Sequence, residues 1–168
     1  MNSLSRLANS LNKILSFISP RAGDLGAIAI TGMVVLIVAD VTLRRFFNSP
    51  LSYSLELIQD LLLIAVFSSI FYATHIDRHV SIDLITSKLS KKAQNRIGVA
   101  TDFLSAILFG LLGWRSILQG IHVWDMGLES AVLEMPYYPF HFFIAICAIL
   151  ATIAISVKII VNTTNVKV

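Results

Sequence analysis

The stretch MPYYPFHFFIAICAILATIAISV, Met135 to Val157, holds twenty-three residues without one formal charge. A helix that crosses a bilayer needs roughly 20 predominantly apolar residues, so this run predicts a transmembrane helix. Lys158 and Lys167 flank its far end, and an acidic segment with Asp125, Glu129 and Glu134 precedes it. From Ser116 to Val157 there is no lysine or arginine. Moving toward the N-terminus, Ile97 to Trp114 is apolar except for Asp102 and closes at Arg115, which predicts a crossing over 97–115. Before it lies a polar connection, Ile76 to Arg96, with Arg78, Lys88, Lys91, Lys92 and Arg96. The uncharged core Leu61–Thr74 predicts a crossing over 52–75, and Leu25–Leu43, with Asp40 as its single charge, predicts one over 25–43.

Composition agrees with that count. Hydrophobic residues make up 56% of the 168 positions and charged residues only 14%, whereas soluble domains carry roughly 25% charged residues. The chain reads as one all-α integral membrane domain, 1–168, with four crossings. Cys147 is the single cysteine, so no internal disulfide forms, and its place in an apolar run predicts a packing role. The net charge of +3 fits cytoplasmic loops that retain Lys and Arg; no nucleic-acid partner is expected.

Residues 4–18 differ in kind. Leu4, Leu7, Leu11, Ile14, Leu15 and Ile18 recur at three- and four-residue steps among Arg6, Asn9, Ser10 and Lys13. That one-faced helical period suits a helix lying on membrane lipids in the interface plane, ended by Pro20 and Arg21. Basic residues set the orientation. Ten fall on the side of the two tails and the middle connection, and three (Arg44, Arg45, Arg115) on the other. Both termini are therefore expected in the cytoplasm of a bacterial inner membrane, with the acidic segment in the periplasm.

Charged residues within membrane segments are the first candidates for function. Asp40 precedes Arg44 by four residues, which predicts a pair on one helix face. Asn48-Ser49-Pro50 reads as a turn, after which Ser52 or Ser54 is expected to cap the next helix. Glu56 and Asp60 fall in the opening turns of that helix, where its dipole favours carboxylates. Asp102, five residues into its crossing, is shallow enough to reach cytoplasmic headgroups or a basic residue such as Arg96. Gly110 and Gly113 read as sites of close helix packing, in partnership with Ala106. His75, His79 and Asp83 share one face at four-residue spacing, which zinc sites also use, although three residues at a membrane boundary fit polar contacts better. His122 and His141 near the outer ends leave a haem-bearing anchor of a respiratory enzyme as the alternative. Trp114, Trp124, Tyr137, Tyr138 and Phe140 read as an interfacial belt. No nucleophile with a base partner is present, so no enzymatic role and no cofactor are expected.

Two elements carry a resemblance. The stretch Arg45-Phe46-Phe47-Asn48-Ser49-Pro50-Leu51-Ser52-Tyr53-Ser54-Leu55-Glu56-Leu57, and Arg78-His79-Val80-Ser81-Ile82-Asp83-Leu84 after the second crossing, resemble the small permease subunits of tripartite ATP-independent periplasmic (TRAP) transporters. Pro136 with its following aromatics is a third, weaker match. The resemblance implies a heterodimer with a large permease subunit that holds the substrate and sodium sites. It also implies a periplasmic binding protein that delivers an organic acid, such as a C4-dicarboxylate or sialic acid. The small subunit would then widen the fixed scaffold. Asp40, Arg44, Arg45, Asn48, Pro50, Ser52, Tyr53, Glu56, Asp60, Arg78, His79, Asp83, Gly110, Gly113 and Pro136 are the residues expected to serve structure or the subunit interface.

Overall fold

The computed structural model describes residues 3–49, 51–76 and 91–165. Among these residues it contains four helices: α1 (Ser3–Phe47), α2 (Ser54–His75), α3 (Lys91–Met126) and α4 (Tyr138–Asn165). Each contains a stretch long and apolar enough to cross a membrane. The chain is an all-helical membrane protein with four crossings.

α1 departs from expectation. The segment 4–18 is helical, as its period predicts, but the helix does not stop at Pro20. It continues to Phe47, 45 residues in all, or about 67 Å at a rise of 1.5 Å per residue. Proline inside a helix removes one hydrogen bond to the carbonyl four residues earlier and usually kinks or breaks the helix. Here packing overrides that preference. Leu15 and Ile18 before the proline and Ala22 after it lie against one buried cluster with Phe71 of α2 and Cys147 and Ala154 of α4.

α1 and α2 run antiparallel with close backbones. A Cβ placed on Gly26 would sit 2.7 Å from Ser69 Oγ and 2.9 Å from Ser68 Oγ, and one on Gly23 would sit 3.1 Å from the Tyr72 ring. In lipid, where apolar burial gives helices no driving force to associate, such small-residue contact supplies the attraction. α3 and α4 pair in the same way, with Gly113 against Ile149 and Ala148, Gly110 nearest Thr152, and Gly120 against His141 and Phe142. Gly110 and Gly113 thus pack within the chain, against α4, and not outward. α4 lies at the centre and touches all three other helices; α3 packs chiefly on α4 alone.

Two boundaries move. α3 runs eleven residues past Arg115, so that arginine falls inside the helix. Trp114 accordingly lies ten residues, about 15 Å, below Trp124 and does not share its level. Trp124 itself contacts Tyr138, with ring centroids 4.4 Å apart. α4 begins at Tyr138, after Pro136, with Pro139 in the first turn, where its missing N–H costs no intrahelical bond.

Candidate functional site

Polar groups gather at the two ends of the bundle. At the end where α1 gives way to α2, the Asp40 carboxylate is buried and accepts two hydrogen bonds. One comes from the Arg44 guanidinium at 2.9 Å, the pair predicted by their spacing, and one from the Leu51 backbone N–H at 2.9 Å. Asp40 therefore holds the returning chain onto the helix it has just left. Asn48 adopts a left-handed φ of 50°, which asparagine tolerates better than most residues. The Ser49 N–H then donates back to the Leu43 carbonyl at 3.4 Å. Pro50 lies outside the described residues.

Neither Ser52 nor Ser54 caps α2. The cap position is Tyr53, whose backbone is already helical and whose side chain makes no cap hydrogen bond; side-chain capping needs an extended backbone at that position. A turn closed by the Ser54 N–H on the Leu51 carbonyl at 3.1 Å takes its place.

Glu56, in the first turn of α2, reaches the loop between α3 and α4. Its carboxylate accepts from the Ser130 hydroxyl, from the Val132 N–H at 3.1 Å and from the Leu133 N–H at 3.0 Å. The loop folds back on itself: the Ser130 N–H donates to the Met135 carbonyl at 2.8 Å, and Glu129 bridges to Pro136. Gly127 and Glu134 take the left-handed φ values of 60° and 52° that let it do so. Three donors aimed at one anion make a built receptor for Glu56 itself. Asp60, one turn further along α2, is half-buried and makes no hydrogen bond or ion pair among the described residues.

At the opposite end, Asp102 of α3 pairs with Lys158 of α4, Oδ1 to Nζ 3.1 Å. The partner is a basic residue, as one of the two expectations had it, but not Arg96 on the same helix: α4 brings a lysine 56 positions away across the helix contact. His75 is the last residue of α2. Arg78, His79 and Asp83, and with them the shared face proposed for His75, His79 and Asp83, lie outside the described residues. His122 is exposed on α3, while His141 is half-buried beside Gly120.

Between these ends four hydroxyls serve their own helices. Ser68 donates to the Ile64 carbonyl, Thr74 to Ile70, Thr152 to Ala148 and Ser156 to Thr152, at 2.5 to 2.8 Å. Side chains that return to carbonyls four residues back satisfy themselves in a medium without water; Ser19 Oγ of α1, by contrast, is buried with no hydrogen-bond partner among the described residues.

The sequence model of one protein family, tripartite ATP-independent periplasmic transporters, DctQ component, matches residues 33–165. The chain belongs to this family. The DctQ match covers all but the N-terminal part of α1 and the last residues, so it spans the clasps at Asp40, Glu56 and Asp102 together. DctQ is a transporter component and not an enzyme family, and four membrane helices fit a multi-pass inner-membrane subunit of such a transporter. No curated protein and no solved structure matches the chain. Sequence reasoning missed the Glu56 receptor, because Ser130 lies 74 positions away and no periodicity links the two.

Proposed function

We propose that this DctQ component is the fixed scaffold partner of a large permease subunit in a sodium-driven TRAP transporter. A periplasmic binding protein delivers an organic acid of the C4-dicarboxylate or sialic acid type to the pair, and the large subunit carries the substrate and the sodium ions. The reading is carried by one observation: Asp40, Glu56 and Asp102 are each engaged by donors of the same chain. A sodium site needs several oxygen ligands on irregular backbone, commonly where a helix is interrupted at mid-depth. The four helices here are continuous.

Both termini face the cytoplasm in this reading, and the loop held by Glu56 faces the periplasm, where a binding protein docks. The longer α3 strengthens the charge argument. Arg115 lies eleven residues from the end of α3, so Arg44 and Arg45 are the basic residues counted at the periplasmic end, against ten on the other side.

Uptake in proteoliposomes tests the proposal. Vesicles containing both membrane subunits, supplied with the binding protein and an inward sodium gradient, accumulate substrate. Vesicles lacking this chain do not. Uptake that is equally fast without this chain would overturn the proposal.

A further inference from the structure

Arg115 is the one charge near mid-depth on α3, and the fold points it away from the rest of the chain. α3 packs on α4 through Gly113, Gly120 and Val123, which are buried. At about 100° per residue, Arg115 lies roughly 160° around the helix from Gly113. It is exposed, and among the described residues it makes no hydrogen bond, ion pair or ring contact. Gln119 and His122, one and two turns further on, are also exposed on the half of α3 facing away from α4. Leu104, Leu108 and Leu111 continue that outer face as an exposed apolar strip toward the other end.

The depth follows from the contacts between the helices. Gly113 meets Ala148 and Ile149, and Gly120 meets His141 and Phe142, so Arg115 is level with about Ile146. That is eight residues into α4, about 12 Å below its first residue. The nearer headgroups lie toward the C-terminal end of α3, beyond Trp124. Side chains on a helix lean toward its N-terminus, so Arg115 is aimed deeper, away from those headgroups. An arginine at this depth, facing lipid and unable to snorkel outward, is strongly disfavoured.

We infer that Arg115 is the anchor of the docking surface for the large permease subunit, and that its counterpart is a membrane helix presenting a carboxylate at this depth. The apolar strip packs against the same helix, and Gln119 and His122 supply hydrogen bonds along its edge. This inference rests on the large-subunit reading above and adds to it the face that docks and the chemistry of the contact.

The test is co-purification of the full chain with the large subunit, in nanodiscs, for wild type, Arg115→Lys and Arg115→Gln. Membrane levels of each variant are measured in parallel. Truncating one partner of a buried charge pair leaves the other uncompensated, so Arg115→Gln is expected to lower recovery of the complex by about tenfold or more. Arg115→Lys keeps most of it. The membrane level of Arg115→Gln is expected to equal or exceed wild type, because the substitution removes a charge from a lipid-exposed position when the chain is alone. A photo-crosslinking residue at Leu111 is expected to capture the large subunit. Undiminished recovery with Arg115→Gln, or capture of lipid alone at Leu111, would overturn the docking face while leaving the large-subunit reading intact. Loss of the Gln variant from the membrane would also overturn it. Failure of wild type itself to co-purify would overturn both.

Discussion

Glu56 offers two carboxylate oxygens to three donors of a loop that begins more than seventy residues later in the chain. A carboxylate in that position accepts charge-assisted hydrogen bonds, shorter and stronger than those to a neutral amide. Glutamine keeps one acceptor oxygen but sets an NH2 group against backbone N–H donors. The order of effects is therefore expected to be wild type, Ser130→Ala, Glu56→Gln, Glu56→Ala, from the slowest to the fastest proteolytic cutting within residues 128–136. Timed digestion of the purified subunit, with the cut sites read by mass spectrometry, checks that order. Equal rates for wild type and Glu56→Ala would mean that the loop is held by its own turns. The two carboxylates differ in how far the sequence disclosed them. Asp40 and Arg44 meet because four residues make one helical turn, and that is visible on the page of letters. Ser130 and Glu56 meet only because α2 packs on α4, and Asp102 and Lys158 only because α3 does. Arg115 misled for another reason: a charge after an apolar run ordinarily marks the membrane surface, and here the helix carries it eleven residues from its end.

Helices that share an apolar solvent find their partners by backbone approach, and the glycines report how close that approach is. Gly26 and Gly110 offer a direct comparison. A methyl group at Gly26 would press on two serine oxygens, at 2.7 and 2.9 Å, whereas one at Gly110 would meet only the Thr152 methyl at 3.9 Å. Gly26→Ala is expected to push α1 from α2 and to lower stability by about 1–3 kcal/mol, the usual range for overpacking. Gly110→Ala is expected to be neutral or stabilising, since alanine favours helix by about 0.5–1 kcal/mol over glycine. Thermal unfolding of both variants in detergent, followed by tryptophan fluorescence, separates the two. A Gly26 variant as stable as wild type would show that the helix pair yields easily at that crossing. Pro20 belongs to the same scale. Read locally it ends a helix, and the period of residues 4–18 then stands as a separate element. The packing of Leu15, Ile18 and Ala22 against one cluster is a tertiary fact that outweighs the local rule. Pro20→Ala is accordingly expected to raise the unfolding temperature, because it restores an N–H donor to the Ser16 carbonyl without disturbing that cluster. A lowered temperature would mean that the proline sets a bend which the cluster needs.

At the scale of the whole molecule, the arrangement separates holding the bundle together from moving anything through it. Asp40 secures the turn onto α1, Glu56 secures the far loop onto α2, and Asp102 secures α3 to α4, so each carboxylate closes one joint of a four-helix frame. A frame of this kind influences transport through assembly and rigidity. In the reading proposed above it does not tune ion affinity. Substituting Asp40→Asn, Glu56→Gln or Asp102→Asn is therefore expected to reduce the amount of assembled transporter or its maximal rate. The sodium concentration at half-maximal uptake and the steepness of the sodium dependence are expected to stay at their wild-type values. Asp60 is the sharpest case, being half-buried in α2 and without a hydrogen bond among the described residues. If any oxygen of this chain were to bind sodium, Asp60 would have the freedom to do so, but a single carboxylate on an unbroken helix lacks the further ligands a cation requires. The measurement is sodium-titrated uptake in proteoliposomes with both membrane subunits and the binding protein, normalised to assembled complex for each variant. An Asp60→Asn variant that assembles fully yet shifts the sodium half-saturation, or lowers the steepness of the curve, would move part of the ion site into this subunit and overturn its role as frame.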